Sequence, residues 1–377
     1  MNKERLNSMD LLRGLVMVIM ALDHVREFFH DGAQQFSPED LTKTWGLLFF
    51  TRWITHFCAP VFMFLAGIGI SFSRLNRGGN AIMTRFLLTR GLWLLFLDLV
   101  VMNVALAYNF RFEFLFFITL SALGASMIAM AGLIWLPRRI VAIIALAMII
   151  FHNTLDGVTI QHPIWNFLHQ PGLLQFGGIP YFVGYPLIPW IGVMAAGFCV
   201  GDIVHRRELV LRIGAGATIG FFVLRFLNLY GDASPWDGAT VMSFFRATKY
   251  PPSLLFLLMT LGPALMLLAA LDRVRVADFN PLRVFGRVPM FYYLVHFYLI
   301  HALAIVIGGL YYGNWTFFFT TPPSLFGKFP ADAPPDYGYG LGAVYAVWAG
   351  LVIALYWPCK WYMQFKQRSR AAWTSYL

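Results

Sequence analysis

Charged side chains are scarce in this sequence. Among 377 residues, Asp, Glu, Lys and Arg make up 12%, whereas hydrophobic residues make up 59% and the mean hydropathy is +0.66. A soluble domain carries about 25% charged residues. The shortage of charge therefore excludes an ordinary soluble protein and indicates that much of the chain lies in a lipid bilayer.

Cysteine pairs and several catalytic motifs are absent as well. The chain has three cysteines and no C-x-x-C pair, which gives no support to a disulfide framework or redox chemistry. The sequence also contains no G-x-S-x-G elbow, Walker A loop or H-E-x-x-H helix. Soluble-hydrolase, P-loop and zinc-protease functions are therefore unsupported.

Long apolar runs make up most of the sequence. Each is long enough to cross a bilayer, which takes roughly 20 residues, and the first is expected to be retained rather than cleaved as a signal peptide. The sequence predicts an all-α, polytopic transmembrane helical bundle forming a single integral-membrane domain over residues 1–377. About ten spans are expected, at 9–29, 47–74, 84–107, 113–136, 138–153, 183–204, 209–230, 252–272, 285–309 and 339–362.

The connections between these spans predict the topology. Lys and Arg lie in the short connections on one side, which is expected to be the cytoplasm, and both termini lie there too. The longer connections 30–46, 154–182, 231–251 and 310–338 lie on the other side, and their Gly, Pro, Trp and Tyr content indicates ordered segments. The net charge of +10 reflects this topology, so no nucleic-acid partner is predicted.

Ionisable side chains inside the spans are the strongest functional signal, because they are costly at membrane depth. On the first helix Arg13 and His24 lie roughly 60° and 40° from Asp10, so the three share one face, with Asp10 and His24 about 21 Å apart along the axis. Asp23 adjoins His24 and is expected to orient its ring, as the third member of a triad does. The alternative for Asp10 and Arg13 is a simple i, i+3 ion pair at the interface.

The second and ninth spans carry further candidates. Arg52 and His56 are i, i+4 neighbours near the non-cytoplasmic end, and Pro60 is expected to kink the helix just below them. His296 lies near the middle of the ninth span, whereas His301 at another azimuth is expected to be a structural hydrogen-bond donor. Because carboxylates near the imidazoles are few, the sequence predicts no metal ligand, although His24, His56 and His296 are chemically suited to bind one.

The first span resembles a known family. The pattern R-x-x-S-x-D-x-x-R-G, followed ten positions after the Gly by an imidazole, is similar to bacterial relatives of heparan-α-glucosaminide N-acetyltransferase. Its members here are Arg5, Ser8, Asp10, Arg13, Gly14 and His24. The segments "RWITHFCAPVFMFLAG", "YPLIPWIGVMAAG" and "FGRVPMFYYLVHFYLIH" extend the likeness to the ninth span. A departure is that the lysosomal enzyme has Asn at the position of His24 and its catalytic His in the next loop, where only His30 lies here.

The resemblance implies acyl transfer across a membrane. Acetyl-CoA is expected as co-substrate at the cytoplasmic face, and a glycan or amino-sugar acceptor on the other side of a bacterial inner membrane. His24, positioned by Asp23, is the first candidate for the base or for a transient acyl carrier. His56 and His296 follow, and Arg52 is expected to stabilise an oxyanion or orient the acceptor.

Arginines at the cytoplasmic end are expected to bind the donor. Arg13, Arg283 and Arg287 suit the phosphates of CoA, because guanidinium groups match phosphate oxygens, and Asp10 is expected to position Arg13. The alternative is that they merely obey the topology rule. The alternative function is a proton-coupled transporter or a lipid or glycan flippase, which would use the same intramembrane His, Asp and Arg groups. A non-catalytic assembly subunit, contacts with membrane lipid and a homodimer also remain open.

Overall fold

The computed structural model describes residues 3–76, 79–108, 110–316, 319, 334 and 336–369. This part of the chain is mostly helical. In chain order the helices are α1 (Lys3–Phe29), α2 (Gly46–Thr55), α3 (Cys58–Asn76), α4 (Asn80–Phe96), α5 (Asn103–Ala107), α6 (Thr119–Leu133), α7 (Arg138–Phe151), α8 (Pro163–Leu168), α9 (Leu187–Val200), α10 (Arg207–Leu227), α11 (Val241–Phe245), α12 (Leu254–Leu271), α13 (Pro281–Arg287), α14 (Pro289–Tyr312) and α15 (Leu341–Arg368). The strands are β1 (Leu115–Phe117), β2 (Gly172–Phe176) and β3 (Ile179–Val183).

The chain forms two compact units. The first comprises residues 1–9, 59–100 and 113–274, and the second comprises residues 10–58, 101–112 and 275–377. The single integral-membrane domain over 1–377 stays a prediction. All of the catalytic and donor-binding candidates named from the sequence lie in the second unit.

Helix pairs in the first unit approach closely at glycines. Helix α4 packs on α6, and α10 packs on α12. A Cβ on Gly91 or Gly124 would press on the other's carbonyl oxygen, and a Cβ on Gly214 would press on the carbonyl of Gly262. Small residues at helix contacts are typical of membrane bundles, where packing and not the hydrophobic effect holds helices together.

A buried arginine orders the connection that follows α10. The Arg225 guanidinium donates to the carbonyls of Phe244 (2.8 Å), Ser243 (2.8 Å) and Ser234 (3.0 Å), and also to that of Arg246. The predicted ordering of the connection 231–251 is therefore confirmed for these described residues.

A small sheet corrects the all-α prediction. Strand β1 pairs in parallel with β3, and β3 pairs antiparallel with β2. The β2–β3 turn contains Gly177 and Gly178 at φ 57° and 85°, which a two-residue hairpin turn requires. Residues 115–117, assigned to the fourth span, are thus a strand, because a short apolar run does not reveal its own periodicity.

Seven helical segments among the described residues are long and apolar enough to span a membrane: Gly46–Arg74, Asn80–Ala107, Arg138–Leu155, Arg207–Leu227, Leu254–Leu271, Pro289–Tyr312 and Leu341–Arg368. Helices α6 and α9 are apolar but shorter, and α1 carries ionisable residues along its length and is not in this set. A helical membrane protein is thus supported. The count of ten spans is not confirmed, and the side of the termini stays a prediction.

Two predicted spans are broken at prolines. The second separates into α2 and α3 at residues 56–57, because Pro60 has no N–H to donate to the carbonyl of His56. The ninth separates into α13 and α14 at Val288, whose φ of −129° and ψ of 49° are not helical. Residues that precede proline are driven out of the α region, and Pro289 follows Val288. Most of the predicted connection 310–338 lies outside the described residues.

Candidate active site

The N-terminal end of α1 contacts α13 through two glycines. A Cβ on Gly14 would overlap the Leu282 carbonyl, and a Cβ on Gly286 would overlap the backbone of Asp10. The two backbones therefore touch, and only glycine fits at both positions. This contact explains the Gly in the R-G pair of the first span.

The close approach brings the predicted donor-binding residues together. Arg13 Nη1 donates to the Gly286 carbonyl at 2.9 Å and lies 3.4 Å from Asp10 Oδ1. Arg287 Nε lies 3.5 Å from the other carboxylate oxygen of Asp10. Asp10 therefore bridges arginines from two helices, and its role in positioning Arg13 for the donor stays a prediction.

Arg283 lies one turn before Arg287 and has a different partner. Its Nη1 lies 2.8 Å from Asp278 Oδ1 and 3.4 Å from the Val276 carbonyl, and its charge acts on Asp10 electrostatically. The Nε atom of Arg283 is buried and makes no hydrogen bond to the described residues. The three guanidinium groups thus form one basic cluster, hereafter the arginine cluster (Arg13, Arg283 and Arg287).

The other end of α1 carries an ion-pair network. Asp23 Oδ1 accepts hydrogen bonds from Arg26 at 3.1 Å, and Asp23 Oδ2 accepts one from Arg52. Glu39 Oε1 accepts from Arg52 Nε at 3.2 Å and lies 2.9 Å from His56 Nε2. Arg52 and His56, predicted as neighbours on α2, are therefore both held by Glu39.

This network corrects the role predicted for Asp23. Its side chain accepts hydrogen bonds from Arg26 and Arg52, and it points about 100° away from His24 because the two residues are adjacent on a helix. The carboxylate that contacts His24 is Glu27, whose Oε2 lies 3.1 Å from His24 Nδ1. Glu27 is therefore the residue that orients the ring, at the i+3 position on the same face.

His24 faces a second imidazole from α14. The ring centroids of His24 and His296 are 5.3 Å apart, and Phe297 packs on His24 at 4.1 Å. His296 is fully buried, and its Nδ1 lies 2.6 Å from the Tyr293 carbonyl. A carbonyl only accepts, so this Nδ1 carries the proton and Nε2 holds the lone pair. That Nε2 is buried and has no hydrogen-bonding partner among the described residues.

The same reasoning assigns the tautomer of His24. An ionised Glu27 only accepts, so Nδ1 of His24 is the donor and Nε2 carries the free lone pair. The His24 side chain is 18% exposed, whereas His296 is buried. Two imidazoles therefore lie side by side, each with Nδ1 held and Nε2 unengaged, one partly exposed and one buried, and such a ring nitrogen can accept a proton. We refer to His24, Glu27 and His296 as the imidazole pair site.

The remaining imidazoles of this unit are structural. His301 Nδ1 donates to the Ala105 carbonyl at 2.8 Å, which confirms the predicted role. His30 is 2% exposed, and its Nδ1 accepts the Gly32 N–H at 3.0 Å. Burial lowers the pKa of His30, although Asp31 opposes this effect. Its ring is therefore kept neutral where the chain leaves α1.

Three contributors were not predicted from the sequence. Glu27 and Arg26 follow the predicted residues at the i+3 spacing that helices favour, so that spacing was an available signal. Glu39 lies in the connection between α1 and α2 and reaches Arg52 and His56 over 13 and 17 residues. No local pattern marks a contact of this kind.

Comparison with known proteins gives one result. The family model for "Heparan-alpha-glucosaminide N-acetyltransferase, catalytic" matches residues 5–235, more than half of the chain. No curated protein matches the sequence. The matched range contains the α1 and α2 candidates but ends before His296 and the two α13 arginines; the side chain of Arg5, which opens the pattern, lies outside the described residues.

Proposed function

This chain belongs to the heparan-alpha-glucosaminide N-acetyltransferase family, and we propose that it transfers an acyl group, in the simplest case acetyl, from cytoplasmic acyl-CoA to a sugar or envelope-glycan acceptor on the periplasmic side of a bacterial inner membrane. The observation that carries the proposal is the imidazole pair site, in which Glu27 holds Nδ1 of His24 at 3.1 Å and leaves Nε2 available. Acyl transfer needs such a base.

The arginine cluster is the proposed site for the CoA phosphates. One carboxylate, Asp10, contacts both Arg13 and Arg287, so the group retains excess positive charge. The Arg13 and Arg287 side chains are 22% and 27% exposed, which leaves guanidinium surface for phosphate oxygens. The long arm of CoA between phosphates and thioester suits two sites separated by about 16 Å of α1, from Arg13 to His24.

His24 is the proposed general base. Its Nε2 takes the proton from the acceptor amine or hydroxyl while that nitrogen or oxygen attacks the thioester carbonyl carbon. The tetrahedral intermediate collapses as the carbon–sulfur bond breaks, and the proton passes from His24 to the departing thiolate. His296 lies behind His24, and Arg52 is proposed to orient the acceptor from the neighbouring ion-pair network.

Acetyl transfer in sealed vesicles tests the proposal. Inverted membrane vesicles containing the protein enclose p-nitrophenyl α-glucosaminide, and labelled acetyl-CoA is added outside. The expected result is labelled amide product inside the vesicles, which His24→Gln abolishes and the exposed control His205→Gln does not. Movement of unmodified glucosaminide driven by a proton gradient, without acetylation, would instead favour the transporter alternative.

Membrane lipids and a second copy of the chain are the remaining proposed partners. The apolar helices imply a lipid environment, and the homodimer rests on no contact in the described chain. Light scattering of the detergent-solubilised protein measures its mass directly, with 42.8 kDa for one chain.

A further inference from the structure

Three metal-ligating side chains converge in the first unit, outside the site described above. They are His152 at the end of α7, Asp156 in the turn that follows, and His169 at the end of α8. One potential ligand atom from each lies within 4.8 Å of those of the other two. The sequence spacing H-x3-D-x12-H is not a motif, so the fold is what assembles the group.

His152 has a buried ring that the protein leaves unsatisfied. The residue is 2% exposed, and neither ring nitrogen completes a hydrogen bond with the described residues. The Pro252 backbone lies close enough to interact weakly with the ring, but the contact does not have the geometry of a full hydrogen bond. Buried polar atoms are rarely left unpaired, so an imidazole with two such nitrogens is well placed to coordinate a ligand.

The carboxylate of the group is held in place by a second layer of contacts. Asn153 Nδ2 donates to Asp156 Oδ2 at 2.8 Å, and Asn153 Oδ1 accepts the Leu254 N–H at 2.9 Å. This leaves Asp156 Oδ1 turned towards His169, 3.6 Å from its Nε2. Outer contacts that orient a ligand in this manner are typical of protein metal sites.

The spacing of two of these ligand atoms suits one small ion. Bonds of about 2.0–2.1 Å at a tetrahedral angle place neighbouring ligand atoms about 3.4 Å apart, close to the 3.6 Å between Asp156 Oδ1 and His169 Nε2. The Nε2 proton of His169 is now accepted by the His152 carbonyl at 2.7 Å. On binding, that proton would move to Nδ1 of the same ring, because a neutral imidazole coordinates through the nitrogen that carries no proton.

We propose that His152, Asp156 and His169 bind one divalent transition-metal ion, with Zn²⁺ the ion that two imidazoles and a carboxylate favour. The fourth position would open to a cleft of about 130 Å³ that Asp156, His169, Thr248 and Tyr250 line. The ion joins the end of α7 to the end of α8. This site goes beyond acyl transfer and does not depend on it.

Metal titration of the full-length protein tests the site. The detergent-solubilised protein is treated with chelator, desalted, and titrated with Zn²⁺ by calorimetry and with Co²⁺ by absorption spectroscopy. The expected result is one ion per chain, tetrahedral Co²⁺ bands, and a rise in the thermal midpoint with Zn²⁺. Failure to bind one equivalent would overturn the proposal.

Matched variants assign the ligands. Asp156→Asn keeps the size of the side chain. Loss of an outer contact weakens metal binding by about 10–100-fold. We expect Asp156→Asn and His169→Gln, which remove a ligand itself, to weaken Zn²⁺ binding by more than that. His205→Gln changes an exposed histidine of the same unit and is expected to bind as the wild type does. The thermal midpoint of the chelator-treated Asp156→Asn protein is measured to check that this variant is folded. Binding of equal strength in Asp156→Asn, or its loss in His205→Gln, would contradict the assignment.

Discussion

Replacing Gly286 by alanine should loosen the contact on which the arginine cluster depends. The new methyl group would overlap the backbone of Asp10, so α13 must move away from α1. Overpacking costs about 1–3 kcal/mol, and a clash with backbone lies at the upper end because backbone cannot rotate aside. Alanine gains at most about 1 kcal/mol of helix propensity, and a partial loss of the Arg13 bond to the Gly286 carbonyl adds to the cost. We expect a net loss of about 2–3 kcal/mol.

Thermal unfolding of the purified protein, followed by tryptophan fluorescence, measures this effect. An unfolding entropy of about 2.1 cal/mol/K per residue gives about 0.8 kcal/mol/K for 377 residues. Each kcal/mol then corresponds to roughly 1.3 °C, so the midpoint should fall by about 3–4 °C. The shift that acetyl-CoA produces should also shrink, because Arg13 and Arg287 are displaced. Gly350→Ala is the matched control, since a Cβ there meets nothing within 4 Å. Equal midpoints for the two variants would refute the reasoning.

Three further predictions concern other parts of the chain. Glu27→Gln gives His24 a partner able to donate, which favours the other tautomer of the ring. Such a change costs ~10⁴-fold in a serine-protease triad, and for this partly exposed pair we expect a fall in kcat of about 10–100-fold. An unchanged kcat would be the contrary result. Arg225→Met leaves four backbone carbonyls without their donor and should destabilise the protein by about 3–5 kcal/mol, whereas Arg212→Met, exposed on the same helix, should not; equal thermal midpoints would count against this role. The pKa of His30 is lowered by burial, so the unfolded chain takes up the proton first and stability should fall as pH drops below about 6.5; His30→Gln should flatten that dependence, and parallel curves would show that His30 is not responsible.

The periodicity of α1 predicted a large part of the candidate site. Asp10, Arg13 and His24 were placed on one face from the 100° step alone, and the structure gives them partners on α13 and α14. These residues can be selected as candidates from the sequence alone, because ionisable groups are rare in an apolar run. The family match over residues 5–235 confirms the resemblance that the same motif suggested.

The predictions that the structure does not bear out have physical causes as well. Asp23 adjoins His24 in sequence but not on the helix surface, where Glu27 at i+3 is the neighbouring carboxylate. Val288 breaks the ninth span because Pro289 follows it, a signal that the apolar run concealed. Glu39 could not be predicted, since it joins α2 through a connection whose path depends on the whole fold.

The metal site and the small sheet illustrate the same limit. His152 and His169 are separated by 17 residues, and only the fold of α7, α8 and the hairpin brings them together. From the sequence, residues 115–117 are expected to begin an apolar span, whereas in the structure they pair with β3. Such long-range pairing leaves no trace in local composition.

The most direct test of the central claim, that His24 is the base, is a single-turnover measurement. Purified protein is mixed with labelled acetyl-CoA and p-nitrophenyl α-glucosaminide, and the rate of amide formation is compared between wild type, His24→Gln and His205→Gln. General base catalysis contributes about 10²–10⁴-fold, so His24→Gln should be slower by that factor, while both variants retain the wild-type thermal midpoint. A folded His24→Gln protein that acetylates at the wild-type rate would contradict the account.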